Sequence, residues 1–180
     1  MSGRRIMAAV AAIIGLVAGG FALAGPAQAA QPAAVRPAAV GTYLKLRNSH
    51  TNKCVDVSGR SLSVGAVVHQ WSCSSSFDDN QLWATEPIGN GFFKLRNLRS
   101  QLCMSAGEPY TNGTVITQQE CDSVFTDDWW WLADDGGFLR ISNLTVVRCL
   151  DLNRGIGSDG ARIQVLDCST ASNAQDWYFS

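Results

Sequence analysis

The chain has 180 residues, 46% of them hydrophobic and 16% charged, with 14 Lys/Arg against 15 Asp/Glu and a formal net charge of −1. That balance, with no cluster of Lys or Arg beyond the N-terminus, excludes nucleic acid and anionic membrane as partners, because both demand concentrated positive charge. Neutral ligands remain.

Arg4 and Arg5 open the chain, residues 6–25 form a charge-free run rich in Ala, Val, Ile and Leu, and Pro26-Ala27-Gln28-Ala29-Ala30 carries the small residues of an A-x-A cleavage site. Residues 1–29 are therefore expected to be a signal peptide. A run of about 20 apolar residues is long enough to span a bilayer, but the small residues and the cleavage pattern favour removal over anchoring. The twin arginines lack an apolar pair beyond them, which favours general secretion, and the mature form is expected to carry no membrane segment. Residues 30–41 are a Pro/Ala linker. Without Arg4 and Arg5, 12 basic residues face 15 acidic ones, a charge near −3. What is left suits one domain, residues 42–180.

That domain repeats itself three times. Lys45-Leu46-Arg47-Asn48, Lys94-Leu95-Arg96-Asn97 and Arg140-Ile141-Ser142-Asn143 each place Asn six residues before a cysteine, namely Cys54, Cys103 and Cys149. A glycine (Gly65, Gly113, Gly160) then stands eight residues before a second cysteine (Cys73, Cys121, Cys168), and the copies start 49 and 46 residues apart. The repeats run over about 42–88, 89–135 and 136–180. Six cysteines permit about 15 pairings, but the pairing that treats the units alike is Cys54–Cys73, Cys103–Cys121 and Cys149–Cys168. Disulfides fit the export signal. A zinc site would need ligands two to four residues apart, whereas the histidines are His50 and His69, so no metal or other cofactor is expected.

Within each unit the pattern is β. Phe92-Phe93-Lys94-Leu95-Arg96 and Phe138-Leu139-Arg140-Ile141-Ser142 alternate apolar and polar residues, and Asn90-Gly91, Asn112-Gly113 and Asp159-Gly160 are hairpin-turn dipeptides. Four-stranded units of this length also build propellers, but a ring needs at least about four blades. The expected fold is all-β, a β-trefoil of three pseudo-threefold repeats. Trp83, Trp130 and Trp177 close the units as core residues. Since strand neighbours face opposite sides, Trp129, Trp130 and Trp131 cannot all be core, and the solvent-facing ones are either rim residues or an additional stacking platform for a polysaccharide.

The opening Cys-(Val/Leu)-Asp-(Val/Leu) at Cys54 and Cys149, with Gln81-Leu82-Trp83 and Gln175-Asp176-Trp177 closing the units, resembles the ricin B-type lectin family over residues 42–180. The resemblance implies one shallow sugar pocket per unit. Its parts are the motif Asp, a polar residue four before the second cysteine, an aromatic two before it, and an Asn-Gln pair. The chemistry suits a sugar: a carboxylate accepts from hydroxyls, an amide both donates and accepts, and a flat ring covers the apolar C–H face. The first unit supplies Asp56, His69, Trp71, Asn80 and Gln81, with His69 where the family often has Gln. Taken singly, Asp56 suits a turn and Trp71 suits packing on the disulfide; the five together argue for a pocket. The second unit departs, with Ser105, Thr117, Gln119 and Asp127-Asp128 at these positions, and is expected to be structural. The third keeps Asp151, Gln164 and Gln175 as a weaker second site, with Leu166 for the aromatic, Ala174 for Asn, and Asn173 or Tyr178 as compensators.

No nucleophile motif surrounds any serine, and the acid pairs Asp78-Asp79, Asp127-Asp128 and Asp134-Asp135 suit solvated turns, so no catalytic residue is expected. The expected function is a secreted, extracellular, non-catalytic binder of galactose- or xylose-type units of a polysaccharide or glycoconjugate, mainly through the first repeat. The alternative is a protein-interaction trefoil such as an inhibitor or toxin-associated partner. No motif sets an oligomeric state. Asn112-Gly113-Thr114 and Asn143-Leu144-Thr145 match glycosylation acceptors. Asp56→Ala is expected to abolish retention on the glycan with little change in melting temperature.

Overall fold

Hydrophobic alternation and the turn glycines produce twelve strands among the residues that the computed structural model describes, 42–75, 79–121 and 126–180. The expected signal peptide and linker lie outside them. The first repeat comprises β1 (Leu44–Asn48), β2 (Cys54–Val57), β3 (Val68–Trp71) and β4 (Leu82–Gly89). The second comprises β5 (Phe92–Asn97), β6 (Cys103–Ser105), β7 (Thr117–Gln119) and β8 (Trp130–Asp135). The third comprises β9 (Phe138–Asn143), β10 (Arg148–Leu152), β11 (Ile163–Leu166) and β12 (Trp177–Phe179). All pairings are antiparallel, and the sheet closes because β1 pairs with both β4 and β12. Three isolated bridges, Val67↔Thr117, Val115↔Gln164 and His69↔Arg162, link the β2–β3, β6–β7 and β10–β11 hairpins to one another in a second ring. The fold is a β-trefoil.

The core lies on the threefold axis. Trp83, Trp130 and Trp177 are fully buried and are joined by Leu46, Leu95 and Ile141 from the opening strands. Each indole N–H donates to the carbonyl of the residue after its repeat's first cysteine: Trp83 to Val55 (3.1 Å), Trp130 to Met104 (2.9 Å) and Trp177 to Leu150 (3.0 Å). The polar edge of a buried indole needs such a partner. Of the tryptophan triplet, Trp130 is the core residue and Trp131 is 57% exposed, while Trp129 is partly buried with its ring against Phe92 at 6.2 Å.

The repeat asparagines knit one unit to the one before it. Asn97 Nδ2 donates to the carbonyls of Asn80 (3.0 Å) and Leu82 (3.3 Å), and Asn143 Nδ2 to those of Asp127 (2.7 Å) and Trp129 (3.2 Å). Asn48 does the same to Ala174 (3.0 Å) and Asp176 (3.4 Å), closing the ring from first repeat to third. Each Oδ1 accepts from its own turn: the His50 N–H, the Arg99 and Ser100 N–H groups, and the Thr145 and Val146 N–H groups. Asn143 is 2% exposed and fully engaged, so it cannot serve as a glycosylation acceptor.

The disulfides pair as the repeat demands, Cys54–Cys73, Cys103–Cys121 and Cys149–Cys168, with Cα–Cα separations of 5.1, 5.0 and 5.0 Å. Of the three dipeptides read as hairpin turns, Asn90-Gly91 joins β4 to β5 with φ of 51° and 81°. Asn112-Gly113 and Asp159-Gly160 do not close two-residue hairpins. They sit inside the longer β6–β7 and β10–β11 loops, where the glycine N–H reaches the neighbouring repeat, from Gly113 to Val165 O and from Gly160 to Gln70 O. Replacing Asn97 with Ala removes two donated and two accepted bonds from a buried position. It should destabilise the domain by about 2–3 kcal/mol, read as a lower urea midpoint at unchanged slope.

Candidate functional site

Strand periodicity sets the first site. Val55 and Val57 point into the core, so Asp56 between them faces the opposite side of β2. His69 lies directly across on β3, and Trp71, two residues on, shares its face with ring centroids 5.4 Å apart. Asn80 and Gln81 arrive on a short 3₁₀ turn, Asp79–Gln81, whose backbone Asn97 grips.

The carboxylate organises this group. His69 Nε2 lies 3.0 Å from Asp56 Oδ1, and because a carboxylate only accepts, the proton sits on Nε2. Asn80 Nδ2 and Gln81 Nε2 each donate to Oδ2 at 2.9 Å. Gln81 is fixed in turn by Ser74 N–H to its Oε1 (3.0 Å) and by donation to Ser72 O (3.2 Å). Asp56 is 6% exposed whereas Trp71 is 46% exposed, and both line one open hollow of about 590 Å³ with His69, Asn80 and Gln81. Three of roughly four lone-pair positions on the carboxylate are used, and buried Asn80 Oδ1 meets no donor among the described residues.

The third repeat copies this arrangement without the ring. Leu150 and Leu152 turn inward and Asp151 outward; Gln164 Nε2 donates to Oδ1 (3.0 Å) and Gln175 Nε2 to Oδ2 (3.2 Å). Asp151, Gln164, Leu166 and Asn173 line a smaller hollow of about 450 Å³. Gln175 supports it from behind, and Tyr178 is elsewhere, its hydroxyl donating to Asn52 Oδ1.

The family described as Ricin-type beta-trefoil lectin domain matches residues 42–177. The chain belongs to this lectin family. Among solved structures it is similar to a designed threefold-symmetric protein, ThreeFoil, at 29% identity and a TM-score of 0.72, covering 76% of this chain and 96% of that one. It is also similar to an exo-β-1,3-galactanase from Clostridium thermocellum at 25% identity and a TM-score of 0.71, covering 77% of this chain and 30% of the enzyme, so it spans under a third of that protein's length. The C-half of an earthworm R-type lectin, solved with GalNAc, shares the fold at 18% identity and a TM-score of 0.63, with 77% and 97% covered. No curated protein matches the sequence.

In the second repeat of this lectin domain the polarity is inverted. Ser105 takes the Asp position and its hydroxyl donates to Asp127 Oδ2 (3.0 Å), so the carboxylate stands on the turn and the hydroxyl on the strand. Gln119 folds back onto Thr117. The expectation that the acid pairs are solvated fails at Asp128, which is fully buried with Lys94 Nζ 3.1 Å from Oδ2. Asp79 is held by Arg60 (2.7 Å) and Arg99 (3.2 Å), and Asp135 by Arg140; Asp78 lies outside the described residues.

Three groups around the first hollow are not evident from the motif. Gly59 and Arg60 form one rim, tethered by Arg99 Nε donating to Arg60 O (3.0 Å) from the next repeat. Asp159, from the third repeat, accepts from the Ser72 N–H (2.8 Å) and from Lys53, and these bonds, the Lys53 one foremost, hold its carboxyl below the usual range. His50 lines the third hollow directly, whereas its counterpart Arg99 meets the first only through the Arg60 carbonyl. Both stand two residues past the repeat asparagine, a register visible once the units are aligned.

The buried network revises the expectation for Asp56→Ala: three donors would lose their acceptor, so that variant must lose stability as well as binding. Burial raises Asp128 and Asp151 above the ordinary carboxylate range, partly offset by Lys94 and by Gln164 and Gln175 respectively. A carboxyl held higher in the folded state binds its proton more tightly there, so its contribution is full below about pH 4 and declines as pH rises toward the raised value. Urea unfolding of Asp128→Asn should therefore show a flatter stability profile than the parent as pH rises above about 4.

Proposed function

We propose that this lectin-family protein is a secreted, non-catalytic binder of galactose- or xylose-type units in a polysaccharide or glycoconjugate, acting mainly through Asp56, His69, Trp71, Asn80 and Gln81. Three disulfides fit an oxidising, extracellular setting, and export would follow from residues 1–29. The observation that carries the reading is the shared hollow: a pre-set carboxylate on its floor and a half-exposed indole on its wall.

The chemistry follows from that pairing. Neighbouring sugar hydroxyls donate to the remaining lone pair of Asp56 and to Asn80 Oδ1, while the His69 Nε2–H and the Asn80 and Gln81 amides, whose N–H groups are spent on Asp56, Val57 O and Ser72 O, hold these acceptors in place. The indole of Trp71 covers the apolar face of the ring and excludes water from these bonds. Binding needs no reorganisation of the polar groups, which lowers its entropic cost. The galactanase similarity favours a galactose-type unit. The third repeat offers the same polar floor with Leu166 in place of the ring and binds more weakly. One shallow hollow gives modest affinity, so tight retention requires a repeating ligand.

Trp71→Ala should weaken binding of galacto- or xylo-oligosaccharides at least about tenfold and leave the melting temperature close to the parent's, since the ring is half-exposed. Asp56→Ala should abolish retention on the glycan and lower the melting temperature too. Unaltered retention in Trp71→Ala and Asp56→Ala, measured by affinity electrophoresis, would remove the first hollow as the sugar site, and no retention of the parent on either glycan would transfer the reading to a protein-interaction trefoil.

A further inference from the structure

The register of the sheet aligns one row of side chains from the third hollow to the exposed indole. Leu166, which lines that hollow, pairs with Cys149; Cys149 pairs with Ser142, Ser142 with Trp131, and Trp131 with Phe92. Paired residues share a sheet face, so these five lie side by side on the outward face of β11, β10, β9, β8 and β5, with Cys149 itself fully buried and its disulfide partner Cys168 lining the hollow beside Trp131. Four inter-strand steps of about 4.8 Å give a track of about 19 Å, which is several sugar rings long.

The equivalent rows in the other repeats differ where it matters. The first runs Trp71, Cys54, Arg47, Tyr178, with a guanidinium in the middle, and the second runs Gln119, Cys103, Arg96, Ala84. The third presents a serine hydroxyl and then the widest exposed aromatic surface, Trp131 at 57% exposure backed by Phe92. Ser169 and Thr170 line a hollow against the same indole, and Ser172 and Asn173 of the same loop line the third-repeat hollow. Beside Trp131 the guanidinium of Arg140 is paired with Asp135 and Asp176.

From this continuity we infer that the third repeat is an extended site for an uncharged saccharide chain, with Trp131 stacking a ring several units from the one held at Asp151. The inference rests on the sugar-binding reading above and adds the length and charge class of the ligand. It explains why Asp151, Gln164 and Gln175 keep their geometry although Leu166 has replaced the local ring: the aromatic contact is supplied farther along the chain. The apolar edge beyond Trp131, formed by Leu144 and Val147, bounds the track.

The test uses Trp71→Ala as background, to weaken the first hollow without unfolding the domain, and calorimetric titration with xylo-oligosaccharides and β-1,3-galacto-oligosaccharides of increasing length from the monosaccharide upward. Affinity should climb until the chain reaches Trp131. Adding Trp131→Ala should lower the ratio of longest-chain to monosaccharide affinity about fivefold, and Trp131→Phe should retain most of it. A length-independent affinity, or a ratio that Trp131→Ala leaves intact while the parent binds sugar, overturns this proposal alone. If sedimentation shows a dimer that Trp131→Ala dissolves with the ladder unchanged, the patch belongs to a second copy and the proposal also fails. If the unmodified protein binds neither ladder, the sugar-binding reading falls and takes this proposal with it.

Discussion

Ring closure by three buried asparagines is the constraint on which the rest depends. Each of Asn48, Asn97 and Asn143 holds the closing turn of the preceding repeat through two donated bonds while its carbonyl caps its own turn. The turn held by Asn97 is the one that presents Asn80 and Gln81. The clamp that closes the barrel therefore also fixes the donors around Asp56. Buried polar groups of this kind are costly unless satisfied, and here one amide satisfies two chain segments at once.

The three repeats have diverged without breaking this frame. In the first two, a buried glutamine three before the second cysteine braces a loop of the preceding repeat in the ring: Gln70 donates to Ile156 O and Ser158 O, and Gln118 to Ser61 O and Ser63 O, each accepting from Thr51 or Ser100. In the third, both members of that pair become core valines, Val165 and Val146, and Arg148 takes over the Tyr110 carbonyl instead. The functional groups diverged separately. Asp56 and Asp151 keep the carboxylate on the strand, whereas Ser105 and Asp127 exchange hydroxyl and carboxylate between strand and turn. A shared scaffold thus carries one complete hollow, one without its local ring and a repeat of inverted polarity.

Most of the fold was legible because the repeat multiplies each weak signal by three. Cysteine spacing alone leaves many pairings, but treating the three repeats alike, with separations of 19, 18 and 19, leaves one. Trp130 was separable from its neighbours by distance to the next strand, and the first hollow's five residues came from the resemblance to the ricin B-type lectin family. Contacts that cross from one repeat to another were not legible. Asp159 bracing Ser72, Arg99 tethering the Arg60 rim and the row from Leu166 to Phe92 all depend on barrel register, which no local motif encodes. Asp128 was misjudged for the same reason: an acid on a polar turn is solvated by default, and burial against Lys94 arises from tertiary packing.

The central claim concerns where a sugar touches the protein, and nitrogen-resolved NMR reads that directly. Titrating galactose and xylose into the labelled protein should shift the side-chain amides of Asn80 and Gln81 and the indole N–H of Trp71 together, saturably, with the backbone of Ser72 and Ser74. Those signals staying still while amides of another region respond to saturation would contradict the account.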